Sequence, residues 1–189
     1  MKTDPRVRYT RMIIQTAFLE LLQQKPVSKI TVREICDKAE INRSTFYKHY
    51  QDCYDLMDKL RDDALSRFDE LMAGIEGHGV ESAVLAILQA MKNHAQTFKL
   101  IAPDGGGGEF THQVVRRCYR YMNLHLTVSP SKGWGETQKG MSYAFLTGGV
   151  GSVIEFWVRG GCKEQLEDVA SMIMELSEIM VAGLAGREV

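Results

Sequence analysis

A short run of side chains near the N-terminus has the chemistry needed to bind a polyanion. Residues 43–50 read RSTFYKHY, and no aspartate or glutamate lies among them. Phe46 and Tyr50 are expected to pack inward. The remaining side chains are all hydrogen-bond donors: Arg43, Ser44, Thr45, Tyr47, Lys48 and His49. Phosphate oxygens and the acceptor edges of bases require such donors, so this segment suits a surface that faces DNA.

Two short predicted helices would position these donors. Thr31 and Glu34 form a capping box that opens one helix, whose apolar stripe includes Ile35 and Cys36. Residues 40–42 make a tight turn, and Asn42 is expected to cap a second helix over 43–50. The pattern predicts a helix-turn-helix. Such a pair is often only structural, and the donor-rich second helix is what favours DNA binding here.

The charge distribution supports a polyanionic partner for the N-terminal segment alone. Residues 1–50 contain ten Lys/Arg and five Asp/Glu, a balance of +5. Residues 51–189 carry a balance of −6, so the total net charge of −1 hides a basic N-terminal segment and an acidic remainder. A basic segment on an acidic body indicates a local electrostatic footprint for nucleic acid.

The rest of the chain follows helical periodicity, and no run alternates as a strand does. The expected fold is all-α, with about nine helices in two domains, residues 1–52 and 53–189. Asp52 is expected to cap a long helix that joins them. Apolar stripes predict the other helices over about 5–24, 80–98, 110–125, 135–160 and 164–184. Glycines at 148, 149 and 151 would allow another helix to approach closely.

With these motifs in place, the chain resembles the tetracycline-repressor (TetR) family of bacterial regulators. The resemblance lies in Ala17 and Phe18, in residues 31–35 (TVREI) and in residues 41–50 (INRSTFYKHY), with a weaker match at 143–157. It implies DNA-backbone contacts from Thr45, Tyr47 and His49, and base contacts from Arg43 and Ser44. Arg33 and Lys48 are further DNA-contact candidates by the same resemblance.

The resemblance also implies a helical C-terminal domain that binds a small molecule and dimerises through its last two helices. The hypothesis is therefore a ligand-responsive, homodimeric repressor that binds an inverted-repeat operator in double-stranded DNA. Side chains expected to line the ligand site are Met91, Phe98, Tyr119, Met122 and Tyr143. At helical spacing most aromatic and methionine side chains are ordinary core residues, which is the alternative for all five.

Other classes of function have little support in the sequence. The histidines are scattered and no Cys pair has metal-ligand spacing, so neither a metal nor a cofactor site is expected. The uncharged run over 141–154 is too short to span a bilayer, and the cysteine usage fits a reducing cytoplasm. No enzymatic activity is expected. The alternatives are a helical carrier or enzyme that uses the helix-turn-helix only for packing, and a regulator that responds to a protein partner.

Overall fold

The computed structural model describes residues 4–74, 79–102, 109–121 and 135–185. Within these ranges there are nine α-helices, one 3₁₀ turn and no strand, which confirms the all-α prediction. Within the same ranges no helix is both long and apolar enough to cross a membrane. The helices are α1 (Pro5–Leu22), α2 (Val32–Lys38), α3 (Arg43–Tyr47), α4 (Cys53–Gly74), α5 (Val80–Asn93), α6 (Ala95–Ile101), α7 (Glu109–Tyr121), α8 (Glu136–Arg159) and α9 (Leu166–Ala185).

The chain forms two compact units, residues 1–64 and 65–189, which are described separately. This division lies inside α4, later than the boundary of 52 expected from the sequence. The reason is that the first half of α4 is bonded to the N-terminal unit. Lys59 Nζ donates to the His49 carbonyl oxygen at 3.0 Å. Asp63 accepts from Arg11 at 3.3 Å and from Gln15 at 3.0 Å.

The core of the N-terminal unit consists of apolar side chains from four helices. Their helical spacing places them on the inner face of each helix, as the sequence predicts. Burying each apolar side chain of this kind stabilises the folded state by roughly 1.5–3 kcal/mol. The fully inaccessible members are Ile14 and Phe18 on α1, Ile35 on α2, Phe46 on α3 and Leu56 on α4.

Side-chain caps set the beginnings of most helices in this unit. The predicted capping box is present: the Glu34 amide donates to Thr31 Oγ1 at 3.3 Å, and the Thr31 amide donates to Glu34 Oε2 at 3.0 Å. Asp52 Oδ1 accepts from the Tyr54 amide at 2.8 Å, which confirms the predicted cap of α4. The predicted Asn42 cap is wrong in its mechanism. Asn42 occupies the N-cap position of α3 with extended backbone, but its side chain makes no capping bond.

The turn between α2 and α3 contains a residue in the left-handed backbone region. Glu40 has φ 55°, where a Cβ is unfavourable and glycine is preferred. Glu40 is exposed, so its side chain adds no core packing. Glu40→Gly is therefore expected to raise the free energy of unfolding by about 0.5–1 kcal/mol. Urea denaturation would measure the gain, with Glu40→Ala as a control that keeps a Cβ and gains nothing.

The C-terminal unit packs α5 against α9 and α7 against α8. The single helix predicted over 80–98 is wrong, because the helix ends at Asn93 and α6 begins at Ala95. His94 leaves helical geometry with φ −115° and ψ 21°. Asn93 and His94 are weak helix formers, and the break allows Phe98 to pack against Phe110, with ring centroids 5.7 Å apart.

Candidate nucleic-acid interface

Helix α3 is short, and two buried aromatic rings hold it in place. Phe46 is fully buried and Tyr50 is 2% exposed, and their ring centroids lie 5.6 Å apart. The sequence predicted both as packing residues, although the helix ends at Tyr47 and residues 48–50 form a turn. Tyr47 meets Phe46 edge-on and stays 57% exposed. The core therefore fixes the orientation of a helix whose other side faces outward.

The predicted DNA-contact residues of this segment lie together on that outward side. Four are exposed and two are half-buried, the latter at the edge where the segment meets the core. Their roles toward DNA remain those implied by the resemblance. The exposed residues are Arg43, Ser44, Tyr47 and Lys48, and the half-buried residues are Thr45 and His49.

Arg33, the remaining predicted DNA contact, lies on the outer face of α2. Its Nε is 3.5 Å from Asp37 Oδ2, and both side chains are more than 70% exposed. An ion pair this exposed contributes roughly 0–1 kcal/mol, so it does not prevent Arg33 from binding a phosphate. The structure keeps Arg33 accessible and leaves its predicted role open.

The cations of the N-terminal unit divide into two groups, which the sequence does not separate. Six have a carboxylate within ion-pair distance: Arg11, Lys25, Arg33, Lys38, Lys59 and Arg61. Among the described residues, five others have no such partner: Arg6, Arg8, Lys29, Arg43 and Lys48. Two of these five, Arg43 and Lys48, belong to the donor segment. Their charge is therefore available to an external anion.

His49 lies within a group of positive charges at the end of this segment. Burial lowers the pKa of His49, and the positive charges of Arg11, Lys48 and Lys59 lower it further. Lys59 also stacks above the Tyr50 ring, 5.3 Å from its centroid. Arg11 and Lys59 come from α1 and α4, so only the tertiary fold brings them to His49. Sequence reasoning missed both residues.

The lowered pKa of His49 predicts opposite pH effects on folding and on DNA binding. In the free protein the neutral ring is favoured, so the stability it contributes is present above about pH 6.5 and is lost below the folded-state pKa. A phosphate beside the ring would raise its pKa, so binding would take up a proton. DNA affinity should therefore rise as the pH falls below about 6.5.

Fluorescence anisotropy with duplex DNA across about pH 5.5–7.5 would measure this linkage. His49→Gln keeps a donor but does not titrate, and its affinity should change less with pH than that of the wild type. An equal pH dependence in both proteins would exclude a phosphate contact at His49.

The residues predicted for the ligand site lie in the C-terminal unit. Met91 and Phe98 are buried, at 7% and 8% exposure, and Tyr143 is half-buried. The side chain of Tyr119, and Met122 as a whole, lie outside the described residues. Within the described ranges no cluster of His, Cys, Asp and Glu has the geometry of a metal site. The cavity prediction for the five residues therefore remains a prediction.

Comparison with known proteins identifies both units. The description "Bacterial regulatory proteins, tetR family" matches residues 13–60, and "Transcriptional regulator C-terminal region" matches residues 80–178. A curated relative, the uncharacterized HTH-type transcriptional regulator YxbF of Bacillus subtilis (strain 168), is 20% identical over 176 residues. That match covers 86% of this chain but only 43% of YxbF, so the chain spans less than half the length of this relative.

Solved structures of similar fold cover nearly the whole chain. A TetR transcriptional regulator from Streptococcus agalactiae has a TM-score of 0.68 and 22% identity, covering 91% of this chain and 95% of its own. The dihydroxyacetone kinase operon activator DhaS has a TM-score of 0.62 and 19% identity, covering 93% and 97%. The fatty acid degradation regulator FadR from Bacillus halodurans has a TM-score of 0.60 and 17% identity, and the match covers 99% of this chain and 100% of FadR.

The two family matches together cover most of the chain, and the first contains the complete helix-turn-helix with its donor segment. The same N-terminal helix-turn-helix and all-helical C-terminal arrangement occur in the solved structures of similar fold. The chain is a DNA-binding transcriptional regulator and belongs to the tetR family of bacterial regulatory proteins.

Proposed function

We propose that this protein is a cytoplasmic repressor that binds an inverted-repeat operator as a homodimer and releases it when a small molecule binds. The observation that carries the proposal is the outward face of residues 43–49, which is rich in donors, free of acids and fixed by Phe46. Reading two half-sites requires two such faces about 34–36 Å apart, which a two-fold dimer supplies.

An exposed apolar stripe on α8 supports the dimer. Met141, Phe145 and Phe156 are 67%, 75% and 80% exposed. Their spacing puts them on one side of the helix, together with Gly149. Phe145 is therefore on the surface and does not line an interior cavity. Three strongly exposed large apolar side chains along one side of a helix are typical of a surface that a partner covers.

Helix α9 adds a second exposed apolar stripe, formed by Met172, Leu176 and Ile179 at 44%, 53% and 61% exposure. These residues lie along one flank of α9, while Ser171 and Glu175 form its polar side. Both stripes belong to the last two helices, to which the family resemblance assigns dimerisation. We take a second copy of this chain as their occupant.

The glycines of α8 fall into two groups. A Cβ at Gly151 would meet Thr111, His112 and Val115 at 3.4–3.7 Å, so Gly151 lets α7 pack closely. A Cβ at Gly148 or Gly149 would meet nothing within 4 Å. These two residues keep the open side of α8 flat beside the apolar stripe, which suits the close approach of a partner helix.

Unsatisfied polarity in the C-terminal unit supports a small-molecule effector. Thr111 is fully buried, and its hydroxyl has no hydrogen-bond partner among the described residues. A buried hydroxyl without a partner costs about 1–3 kcal/mol, which a bound ligand with a polar group can recover. The other two buried polar side chains described in this unit are satisfied: Thr147 Oγ1 donates to the Tyr143 carbonyl oxygen at 2.8 Å, and Glu155 accepts from Arg159 at 2.8 Å. We propose that the effector binds among helices α5, α6, α7 and α8, with Met91 and Phe98 as apolar lining and Tyr143, Tyr119 and Met122 as further candidates.

Arg43 provides the sharpest test of operator binding. If Arg43 contacts a base, Arg43→Ala should lower operator affinity by roughly 1–3 kcal/mol and relax sequence preference at one position of each half-site. Footprinting on the DNA upstream of the gene and anisotropy titration would measure both effects. Tyr47→Phe is the matched control: it should weaken binding without altering the preferred sequence. The absence of any protected site would leave the carrier or enzyme hypothesis standing.

Effector release has a separate test based on thermodynamic reciprocity. A ligand that lowers operator affinity must bind the operator complex more weakly than the free protein, by the same factor. A thermal-shift screen would find the ligand, and calorimetry with and without operator would measure the factor, expected at about 5–150-fold. Equal affinities would exclude ligand-driven release. If the thermal-shift screen finds no stabilising ligand, that result would favour regulation by a protein partner.

A separate experiment distinguishes repression from activation. One structure of similar fold belongs to an operon activator, DhaS. A reporter fused to the upstream region should become more active when the gene is deleted. Lower activity in the deletion strain would make the protein an activator and overturn the repressor assignment.

A further inference from the structure

The first turn of α1 carries exposed arginines and no acidic residue. Arg8 is exposed, and it has no ion pair among the described residues. A cation at this end of a helix opposes the positive end of the helix dipole. The Arg8 charge therefore does not stabilise α1, and it is available to an external anion.

Contacts within the N-terminal unit connect the flank of α1 that carries Arg8 with the donor segment. Arg11 is three residues further along α1, about 60° around the helix axis, so the two arginines share one flank. Asp63 holds Arg11 at 3.3 Å. Asp63 follows Lys59 by one turn of α4, and Lys59 Nζ donates to the His49 carbonyl oxygen at 3.0 Å.

These contacts define a row of cations, which we call the cationic strip: Arg8, Arg11, His49 and Lys48. Lys48 at one end and Arg8 at the other are exposed, and neither has an ion-pair partner among the described residues. The members between them are neutralised or partly buried, since Arg11 is bonded to Asp63 and His49 is half-buried. The strip thus presents its available charge at its two ends.

We propose that Arg8 binds a phosphate of the DNA backbone outside the base pairs read by residues 43–47, so that the interface extends from α3 along α1. This inference rests on the donor segment facing the major groove. Phosphate contacts of this kind fix position and register without reading sequence. Arg8 would therefore add affinity in every sequence context and leave the preferred operator unchanged.

Salt titration of DNA binding distinguishes this contact from a bystander charge. Anisotropy with a duplex of about 30 base pairs of mixed sequence, at about 0.05–0.2 M salt, gives the slope of log affinity against log salt. Arg8→Gln should reduce the slope by about 0.9 per protomer, the value for one phosphate contact. Arg8→Lys should restore the wild-type slope, because the ammonium group of lysine neutralises a phosphate as the guanidinium of arginine does.

Lys38→Gln is the matched control, since it removes the same charge from the same unit. Lys38 is held by Glu20 at 2.7 Å, so its charge is already paired within the unit and its loss should leave the slope unchanged. Circular dichroism would verify that each variant is folded. An unchanged slope in Arg8→Gln, or an equal change in Lys38→Gln, would overturn the inference.

A truncation series separates this inference from the proposed function. Shortening the DNA on both sides of the footprint should lower wild-type affinity to that of Arg8→Gln, while the variant loses little. If the wild type fails to bind any duplex, operator binding itself fails. If the wild type binds and neither slope nor flank length distinguishes Arg8→Gln, only the α1 contact is wrong.

Discussion

Phe46→Ala is expected to lower the free energy of unfolding of the N-terminal unit by about 3–5 kcal/mol, the range for emptying a fully buried phenylalanine site. Phe46 has no exposed surface and contacts the rings of Tyr47 and Tyr50. Helix α3 has only five residues, and Phe46 is its one buried residue. A helix this short has no stability of its own in water, so it depends on that anchor. Urea denaturation followed by far-UV circular dichroism would measure the loss.

Tyr47→Ala is the matched control for Phe46→Ala, because it removes a neighbouring aromatic ring that is 57% exposed. It should change stability by less than about 1 kcal/mol, while weakening DNA binding if the predicted phosphate contact exists. The two substitutions would then distinguish the role of Phe46 in anchoring α3 from the predicted role of Tyr47 in contacting DNA. Similar stability losses in both variants would contradict the division of α3 into an anchored side and an outward side.

Phe156→Glu is expected to convert the proposed dimer into a monomer and to remove operator binding almost completely. The side chain is 80% exposed in the single chain, so its replacement leaves the folded unit intact. In the dimer it would bury an unpaired carboxylate, a cost of several kcal/mol for each copy. Losing the dimer also loses simultaneous contact with two half-sites, which alone reduces affinity by about 10²–10⁴-fold.

Analytical ultracentrifugation at micromolar concentration would measure the change in mass. Ser171→Glu on the polar side of α9 introduces the same charge at another exposed position and should remain dimeric. A wild-type chain that sediments as a monomer would refute the dimer. A dimeric, DNA-binding Phe156→Glu variant would place the interface elsewhere on the chain.

Local sequence signals predicted much of the N-terminal unit because each signal acts over a few residues. The capping box needs only Thr31 and Glu34, and the packing of Phe46 follows from helical spacing. The break at His94 was missed because the apolar stripe continues through it to Phe98. Periodicity reports which side of a segment is buried, and it is insensitive to a single residue that leaves helical geometry.

The remaining features depend on contacts between distant parts of the chain. The sequence analysis treated Gly149 and Gly151 alike. Only the packing of α7 shows that Gly151 makes an internal contact, while Gly149 lies on an open surface. Two of the three positive charges around His49 come from Arg11 on α1 and Lys59 on α4, more than nine residues away in either direction. The cavity residues stay a prediction for the same reason, because a cavity is defined by how several helices meet.

Arg43 and Lys48 have no ion-pair partner in the part of the chain that the structure describes, and this has a kinetic consequence. No internal ion pair of these residues has to break before they meet a phosphate, so encounter with DNA needs little rearrangement of their charges. Electrostatic attraction can then bring association toward about 10⁸–10⁹ M⁻¹s⁻¹ at low salt. Contacts of this kind form equally well at every position along a duplex. Such contacts suit a protein that finds its site by sliding along the duplex, and the proposed base contacts of α3 would then set the time it spends at each site.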